Sequence, residues 1–266
     1  MLMKKLAAEF RQVWKYRELL VNLVIRNIKV RYKRSALGFL WAMLNPMLMM
    51  TVMYVAFQKV FKPALPHYAA YLITGLIGWN LFIQSTHDAM YAFTSNSSLL
   101  RKVFLPKAVF PVANVMSGLV NFFLSLLPLY IIFFLSGAFP SMRVVLLPAC
   151  LLEMLLFTIG ISLMIATVVV FFHDASYIYE VLTLALMYMT PIFYPVSILP
   201  SRVMKFMYFN PLYHYLTLLR GIFFDNSITF QELQVHMLWG GAFALAAFML
   251  GAWIYLYNKN NIIFFL

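Results

Sequence analysis

The sequence predicts an all-α integral membrane protein with six transmembrane helices. It adds an N-terminal interfacial amphipathic helix and a re-entrant helical hairpin between spans five and six. Three observations predict this. Hydrophobic residues make up 64% of the 266 residues and charged residues 11%; a soluble domain has roughly 45–50% apolar and about 25% charged residues. Charge is confined to patches: "RNIKVRYKR", residues 26–34, holds five basic residues and no acid, and then nothing from Ser35 to Gln58 is charged. Six apolar stretches reach the roughly 20 residues that a bilayer crossing needs. A net charge of +12 would suit a nucleic-acid surface, but the apolar excess points to lipid instead. The basic run is then a topology signal, because Lys and Arg stay on the cytoplasmic side of a span. No nucleic-acid partner is expected.

Residues 1–34 read as a cytoplasmic interfacial region. At about 100° per residue, Val21, Val24, Ile25, Ile28 and Tyr32 share one face, and Arg26, Lys29 and Lys33 the opposite one. Leu6, Phe10 and Trp14 repeat that pattern upstream. Such a helix lies in the interface, with Arg26, Lys29, Arg31, Lys33 and Arg34 toward anionic membrane lipids. One reading is a positive-inside flank only; the sharper one adds a docking surface for a cytoplasmic partner.

Residues 35–258 form the transmembrane domain, with spans at about 37–57, 69–93, 108–136, 144–172, 176–195 and 237–257, and 259–266 form a tail. No cleavable signal peptide is expected, because some 35 mostly polar or amphipathic residues precede the first span. With the N-terminus inside, 14 of the 20 Lys and Arg fall on the cytoplasmic side, so both termini are expected there. Glu153 is expected about 15 Å deep in the fourth span. A charge there costs about 2.5–3.5 kcal/mol or more unless protonated or paired. Glu153 is therefore either a structural hydrogen-bonding group or a hydrated pathway or proton site. Asp88 and Glu180 sit near inner span ends, where snorkelling or pairing accounts for them. Cys150 is the single cysteine, so no intrachain disulfide forms.

After the fifth span, Pro191, Pro195, Pro200 and Pro211 break residues 190–230 into apolar pieces too short to cross. Residues 198–224 are expected to form a re-entrant pair of short helices on the outer side, with Arg202, Lys205 and Arg220 at the interface.

Four stretches carry a family resemblance. "RNIKVRYKRSALGFLWAMLNP" matches a basic helix followed by R-Y-x-x-S-x-L-G-x-x-W-x-x-x-x-P, through Arg31, Tyr32, Ser35, Leu37, Gly38, Trp41 and Pro46. "YLITGLIGWNLF" matches G-L-x-x-W through Gly75, Leu76 and Trp79. "NSSLLRKVFLP" matches a cytoplasmic-loop pattern through Asn96, Leu99 and Lys102, with "FLP" where "FP" is usual. "TPIFYPVSILP" with "NPLYHYLTLLRG" matches through Pro191, Tyr194, Pro195, Pro200, Asn210, Pro211 and Arg220. The chain thus resembles the permease subunit of polysaccharide-exporting ABC transporters, which handle O-antigen, capsule or teichoic acid. In the fourth-to-fifth loop Asp174 is kept, but His173 stands where the family often has arginine, so that arginine's role does not carry over.

The resemblance implies a homodimer in the cell inner membrane, with a channel between the copies for a lipid-linked polysaccharide, most simply O-antigen. The chain has no G-x-x-x-x-G-K-[ST] phosphate loop. ATP and Mg are therefore expected on a separate ATPase subunit, with no cofactor on this chain. Asn96, Leu99, Arg101 and Lys102, with His173 and Asp174 in the next inner turn, are the candidate ATPase-coupling residues. Sugars present an apolar C–H face to aromatic rings. Tyr54, Phe57, Tyr188, Phe193 and Tyr194 are candidate channel linings, and Tyr208, Phe209, Tyr213 and Tyr215 a candidate exit collar.

The leading alternative is a proton-coupled secondary transporter or flippase using Glu153, although the chain lacks the repeated halves of many such folds. A membrane glycosyltransferase would need clustered acids; the eight acids are scattered. No Cys/His pattern suggests a metal.

Overall fold

The computed structural model describes residues 2–33, 35–61, 67–138 and 142–266. Its α-helices, in chain order, are α1 (Leu2–Lys15), α2 (Arg17–Tyr32), α3 (Trp41–Phe61), α4 (Tyr68–Met90), α5 (Ser97–Lys102) and α6 (Val109–Ser136). They continue with α7 (Leu147–Phe171), α8 (Ala175–Met189), α9 (Ser201–Met207), α10 (Pro211–Phe223), α11 (Phe230–Asn258) and α12 (Ile262–Phe265). Short 3-10 turns lead into α3 and α7, and there is no strand among the described residues. Arg34 lies outside the described residues.

Among the described residues, four helical stretches are long and apolar enough to cross a membrane: Gly38–Val60, Val109–Ser136, Met142–Phe171 and Phe230–Asn258. α4 has 23 residues but carries Thr74, Asn80, Gln84, Ser85, Thr86, His87 and Asp88. It tolerates them because it is the central helix, packed against α3, α6, α7 and α10, and so faces protein more than lipid. α8 has only 15 residues, about 22 Å of helix against a core of about 30 Å.

Local chemistry sets the ends. α8 stops at Met189 because the chain turns extended at Thr190, ahead of Pro191. The fifth stretch is thus helical over 175–189 only, not to 195. α11 begins seven residues earlier than the apolar pattern suggests, because Thr229 and Glu232 form a capping box. α6 ends on Gly137 in the left-handed conformation, φ 69°. Asn210 caps α10 by accepting the Leu212 N–H at 3.0 Å.

α7 and α11 pack against each other more extensively than any other pair among the described helices. A Cβ on Gly160 would stand 2.5 Å from the Ala247 carbonyl, and one on Gly251 would overlap the Gly160 carbonyl. Small residues let helix backbones touch where lipid supplies no hydrophobic drive. One core cluster joins α4, α6, α7, α10 and α11; a second joins α2, the 92–110 region, α7 and the last residues of the chain.

Candidate functional site

Both termini meet the same end of the bundle. The Lys259 ammonium pairs with the Glu9 carboxylate, and Lys107 Nζ donates to the Lys259 carbonyl. Burial first, and then the Lys259 ammonium, lower the Lys107 pKa, while Glu9 opposes them. The Tyr255 hydroxyl accepts the Ala108 N–H at 3.1 Å. At the 172–174 turn, the Phe171 and Phe265 rings pack 4.8 Å apart. The elements expected on the cytoplasmic side therefore gather at this terminal end.

α2 does not lie free on a surface. Its inward face centres on Leu23, Asn27 and Tyr32 and packs on α6. Asn27 Nδ2 donates to Asn114 Oδ1 at 2.7 Å, and Asn114 Nδ2 to the Asp88 carbonyl at 3.0 Å. Arg31 pairs with Asp88 and donates to Gln84 Oε1 at 3.1 Å. Arg26 Nη1 donates to Asn96 Oδ1 at 2.9 Å. The expected five-residue lipid-facing basic patch is corrected accordingly. Arg26 and Arg31 bind protein because acceptors on the 88–96 stretch lie within reach; Lys29 and Lys33 remain exposed. Val21 and Ile25, on the expected apolar face, are exposed, while the side that packs on α6 centres on Leu23.

The 94–107 loop separates its candidates. Asn96 is buried and donates to the Ala92 carbonyl at 2.8 Å, so it fastens the loop rather than offering a contact. Leu99 is half-buried, while Arg101 and Lys102 are exposed. Phe104, which sequence reasoning passed over, is 94% exposed beside the exposed Val103. Its signal was the departure from "FP" to "FLP". A groove of about 350 Å³ runs from Glu9 and Gln12 along 100–107 to Tyr255 and Lys259. His173 and Asp174 are exposed on the neighbouring turn, and Glu180 faces His87 at 3.5 Å.

At the opposite end, the non-helical stretch 190–195 is enclosed by side chains. Arg220, 3% exposed, donates from Nη2 to the carbonyls of Pro191 (2.8 Å) and Ile192 (3.4 Å). The Tyr71 hydroxyl shares its one proton between the Pro191 and Tyr194 carbonyls, at 3.0 and 2.8 Å, and the Tyr68 hydroxyl donates to that of Phe193 at 2.8 Å. Arg220 is therefore not an interfacial residue; the free carbonyls left by the broken helix draw it inward. Arg202 and Lys205 are exposed.

The aromatic candidates divide. Phe57 and Tyr188 are exposed; Tyr54 is half-buried and stacks on Tyr68 at 6.0 Å. Phe193 is buried, so it lines no surface here, and Tyr194 donates to the Tyr188 carbonyl at 2.9 Å. Of the collar, Tyr208 and Phe209 are exposed, but Tyr213 and Tyr215 are core residues. α10 is covered on almost every side, and the Tyr215 hydroxyl donates to the Gly240 carbonyl at 2.8 Å. Beside them His214 and His236 meet Nδ1 to Nδ1 at 2.9 Å. No sequence motif marks that pair.

Glu153 lies about 9 Å into α7, and eleven residues past the start of the apolar stretch Met142–Phe171. It faces Gly240 and Gly241, where a Cβ on Gly240 would come 2.8 Å from Oε2. Of the two readings of Glu153, the interhelical hydrogen bond finds no support: Oε2 is buried with no partner among the described residues. Those residues contain no cluster of three or more His, Cys, Asp or Glu that could hold a metal.

The family model described as ABC-2 type transporter matches residues 18–224. The O-antigen export system permease protein RfbA of Myxococcus xanthus is 32% identical over 241 residues, 87% of this chain and 93% of that protein. The protein of the same name from Klebsiella pneumoniae is 31% identical over 225 residues, 84% and 86% of the two chains. The capsule polysaccharide export inner-membrane protein CtrC of Neisseria meningitidis serogroup A is 24% identical over 222 residues, 81% and 83%. The matched region runs from α2 through α10, taking in the α2 latch, the 94–107 loop and the enclosed 190–195 stretch. The chain belongs to the ABC-2 type transporter family.

Proposed function

We propose that the chain is the membrane-spanning subunit of an ATP-driven exporter that carries a lipid-linked polysaccharide, O-antigen in the simplest case, across the inner membrane. Two copies frame the path, and a separate ATPase subunit supplies the energy. The observation that carries this reading is the exposed Arg101–Phe104 tip on a loop braced to both termini. A cationic tip with a protruding ring offers an anchor for a partner. The braces, Arg26 to Asn96 and Lys107 to the Lys259 carbonyl, would pass its displacement to α2 and α11. His173 and Asp174 add a second contact at the same end.

In this reading the chain crosses six times, at 37–57, 69–93, 108–136, 144–172, 237–257 and, where α8 is continued by the enclosed non-helical 190–195 stretch, at 175–195. Residues 198–224 re-enter from the outer side, and both termini are cytoplasmic. The Glu9–Lys259 pair supports an even number of crossings. α3 and α8 leave broad apolar faces exposed, which supports a second copy or lipid against them. Phe57 and Tyr188 stand on those faces as lining candidates.

The test is reconstitution. The purified chain alone should hydrolyse no ATP, and it should co-purify with an ATPase encoded beside sugar-polymer genes. Phe104→Ala with Lys102→Ala should break that co-purification and stop polymer reaching the cell surface, at unchanged chain abundance. Robust hydrolysis by the chain alone refutes the reading. The unpartnered Glu153 Oε2 favours one rival, proton-coupled transport. It predicts export that stops in Glu153→Gln and runs on a pH gradient without ATP.

A further inference from the structure

A cavity of about 260 Å³ lies inside the single chain, between the end of α2 and the helices α3, α4 and α6. Four carboxamides line it: Asn45, Asn80, Gln84 and Asn121. Asn80 is ten residues from the last residue of α4, about 15 Å, so the cavity reaches well into the membrane thickness. Carboxamides at such depth are costly unless satisfied. Gln84 Oε1 is satisfied, accepting from Arg31 Nη1 at 3.1 Å and Asn121 Nδ2 at 3.3 Å. Asn45 and Asn80 make no hydrogen bond among the described residues, so their donors and acceptors are free to face the cavity.

The wall has a definite chemical preference. Its one cation, Arg31, is already matched by Asp88, so an anion would compete with a carboxylate for it. The free groups are neutral, and each carboxamide both donates and accepts, as hydroxyl groups do. Trp41, 41% exposed, adds an aromatic surface on the same wall, suited to the apolar C–H side of a ring. The volume is below the roughly 300–1,000 Å³ of pockets for drug-sized ligands, so it takes one ring and not a chain.

We propose that this cavity binds a single neutral sugar ring within one copy of the chain, apart from any path between two copies. The inference rests on the proposed export of a glycan. It adds a specificity determinant: Asn45 and Asn80 select the sugar unit that the transporter accepts.

The test uses the full chain in phosphatidylcholine nanodiscs, with the methyl glycosides of glucose, galactose and mannose as probes and inorganic pyrophosphate as the anionic comparison. Saturation-transfer NMR should show contact with at least one glycoside and none with pyrophosphate. Asn45→Leu should reduce the transfer at least fivefold; Asn45 is exposed, so this variant is expected to fold. Asn80→Leu should do the same. Polymer export in cells is scored in parallel. No transfer to any glycoside, transfer unchanged in Asn45→Leu, or preference for pyrophosphate each overturns the cavity proposal, while continued export leaves the export reading standing. Absence of export by the wild-type chain with its ATPase overturns the reading beneath both.

Discussion

The Arg220 guanidinium lies 3.4 Å from the centroid of the Tyr71 ring, and both residues donate to the Pro191 carbonyl. One comes from α10 and the other from α4, so two helices hold one stretch of broken backbone. Free carbonyls are tolerated at membrane depth only where protein or water covers them. Here the cover is a planar cation, which spreads its charge over a ring face and two carbonyls. Gly75 belongs to the arrangement: a Cβ there would stand 2.7 Å from Arg220 Nη2.

The first prediction concerns this clamp. Arg220→Lys keeps the charge but loses the flat fork. It should destabilise the folded chain by about 1–3 kcal/mol, the cost of leaving buried polar groups unpaired. Tyr71→Phe, which keeps the ring and removes the one proton shared by the Pro191 and Tyr194 carbonyls, should cost a similar amount. Gly75→Ala should displace Arg220 and behave like Arg220→Lys. Thermal unfolding in detergent measures all three; an unchanged midpoint for Arg220→Lys would show that the clamp carries no stability.

Arg220 also shows where sequence reading stops. A lone arginine in a short apolar helix after several prolines reads as interfacial, because one-dimensional patterning cannot see the carbonyls waiting across the fold. The helices of the third and fourth apolar stretches, α6 and α7, were legible to within a few residues, since their charge-poor runs end at turn chemistry. α8 was over-extended because apolar content continues through Ile192 and Phe193 although the helix does not. The α11 start was written as Thr229-x-x-Glu232, a local signal hidden beneath the search for apolar length. On α2, periodicity found a helix but not its inward face, which is set by Asn27, Asn114 and Asp88, polar partners from three helices. The loop candidates Arg101 and Lys102 were visible; Asn96 as a latch was not, because its partner Arg26 lies 70 residues away.

A second prediction addresses the α7–α11 contact. Gly160 and Gly251 bring backbone against backbone, so no side chain can give way to a new methyl group. Gly251→Ala should separate the helices and lower both yield and thermal midpoint sharply. Overpacking typically costs about 1–3 kcal/mol, and here more is expected. Gly241→Ala, whose Cβ would meet Glu153 at an ordinary 3.4 Å, is the control and should change little. Equal behaviour of the two variants would refute backbone contact as the cause.

The Glu9–Lys259 pair gives a third. Glu9 is buried, but Lys259 is about one-third exposed and solvent screens the pair, so its stability share is modest, about 1 kcal/mol. Its expected effect is on order. Glu9→Gln leaves the Lys107 and Lys259 ammoniums facing each other without a counter-charge, which lowers the Lys107 pKa further. Hydrogen exchange across 258–266 should then quicken several-fold, while the global midpoint hardly moves. The charge swap Glu9→Lys with Lys259→Glu should restore slow exchange. If the swap exchanges as fast as Glu9→Gln, charge pairing does not hold the tail.

The last prediction tests the crossing number. α8 ends beside the enclosed 190–195 stretch, and Arg143 Nη1 donates to the Ile228 carbonyl at 2.6 Å just before α11 begins. The segment between thus starts and finishes near the same end of the bundle, while α10 carries Tyr215 inward to the Gly240 carbonyl. These contacts support the proposed hairpin that dips and returns. Lys205 and Asn226 are both exposed, and Cys150 is buried, so single cysteines can be read in a Cys150→Ala background. Lys205→Cys and Asn226→Cys should both react with a membrane-impermeant maleimide added outside the inner membrane. Lys102→Cys should react only after the membrane is opened. Should Lys205→Cys and Asn226→Cys label from opposite sides, residues 198–224 cross the membrane, the termini lie on different sides, and the six-span arrangement is wrong.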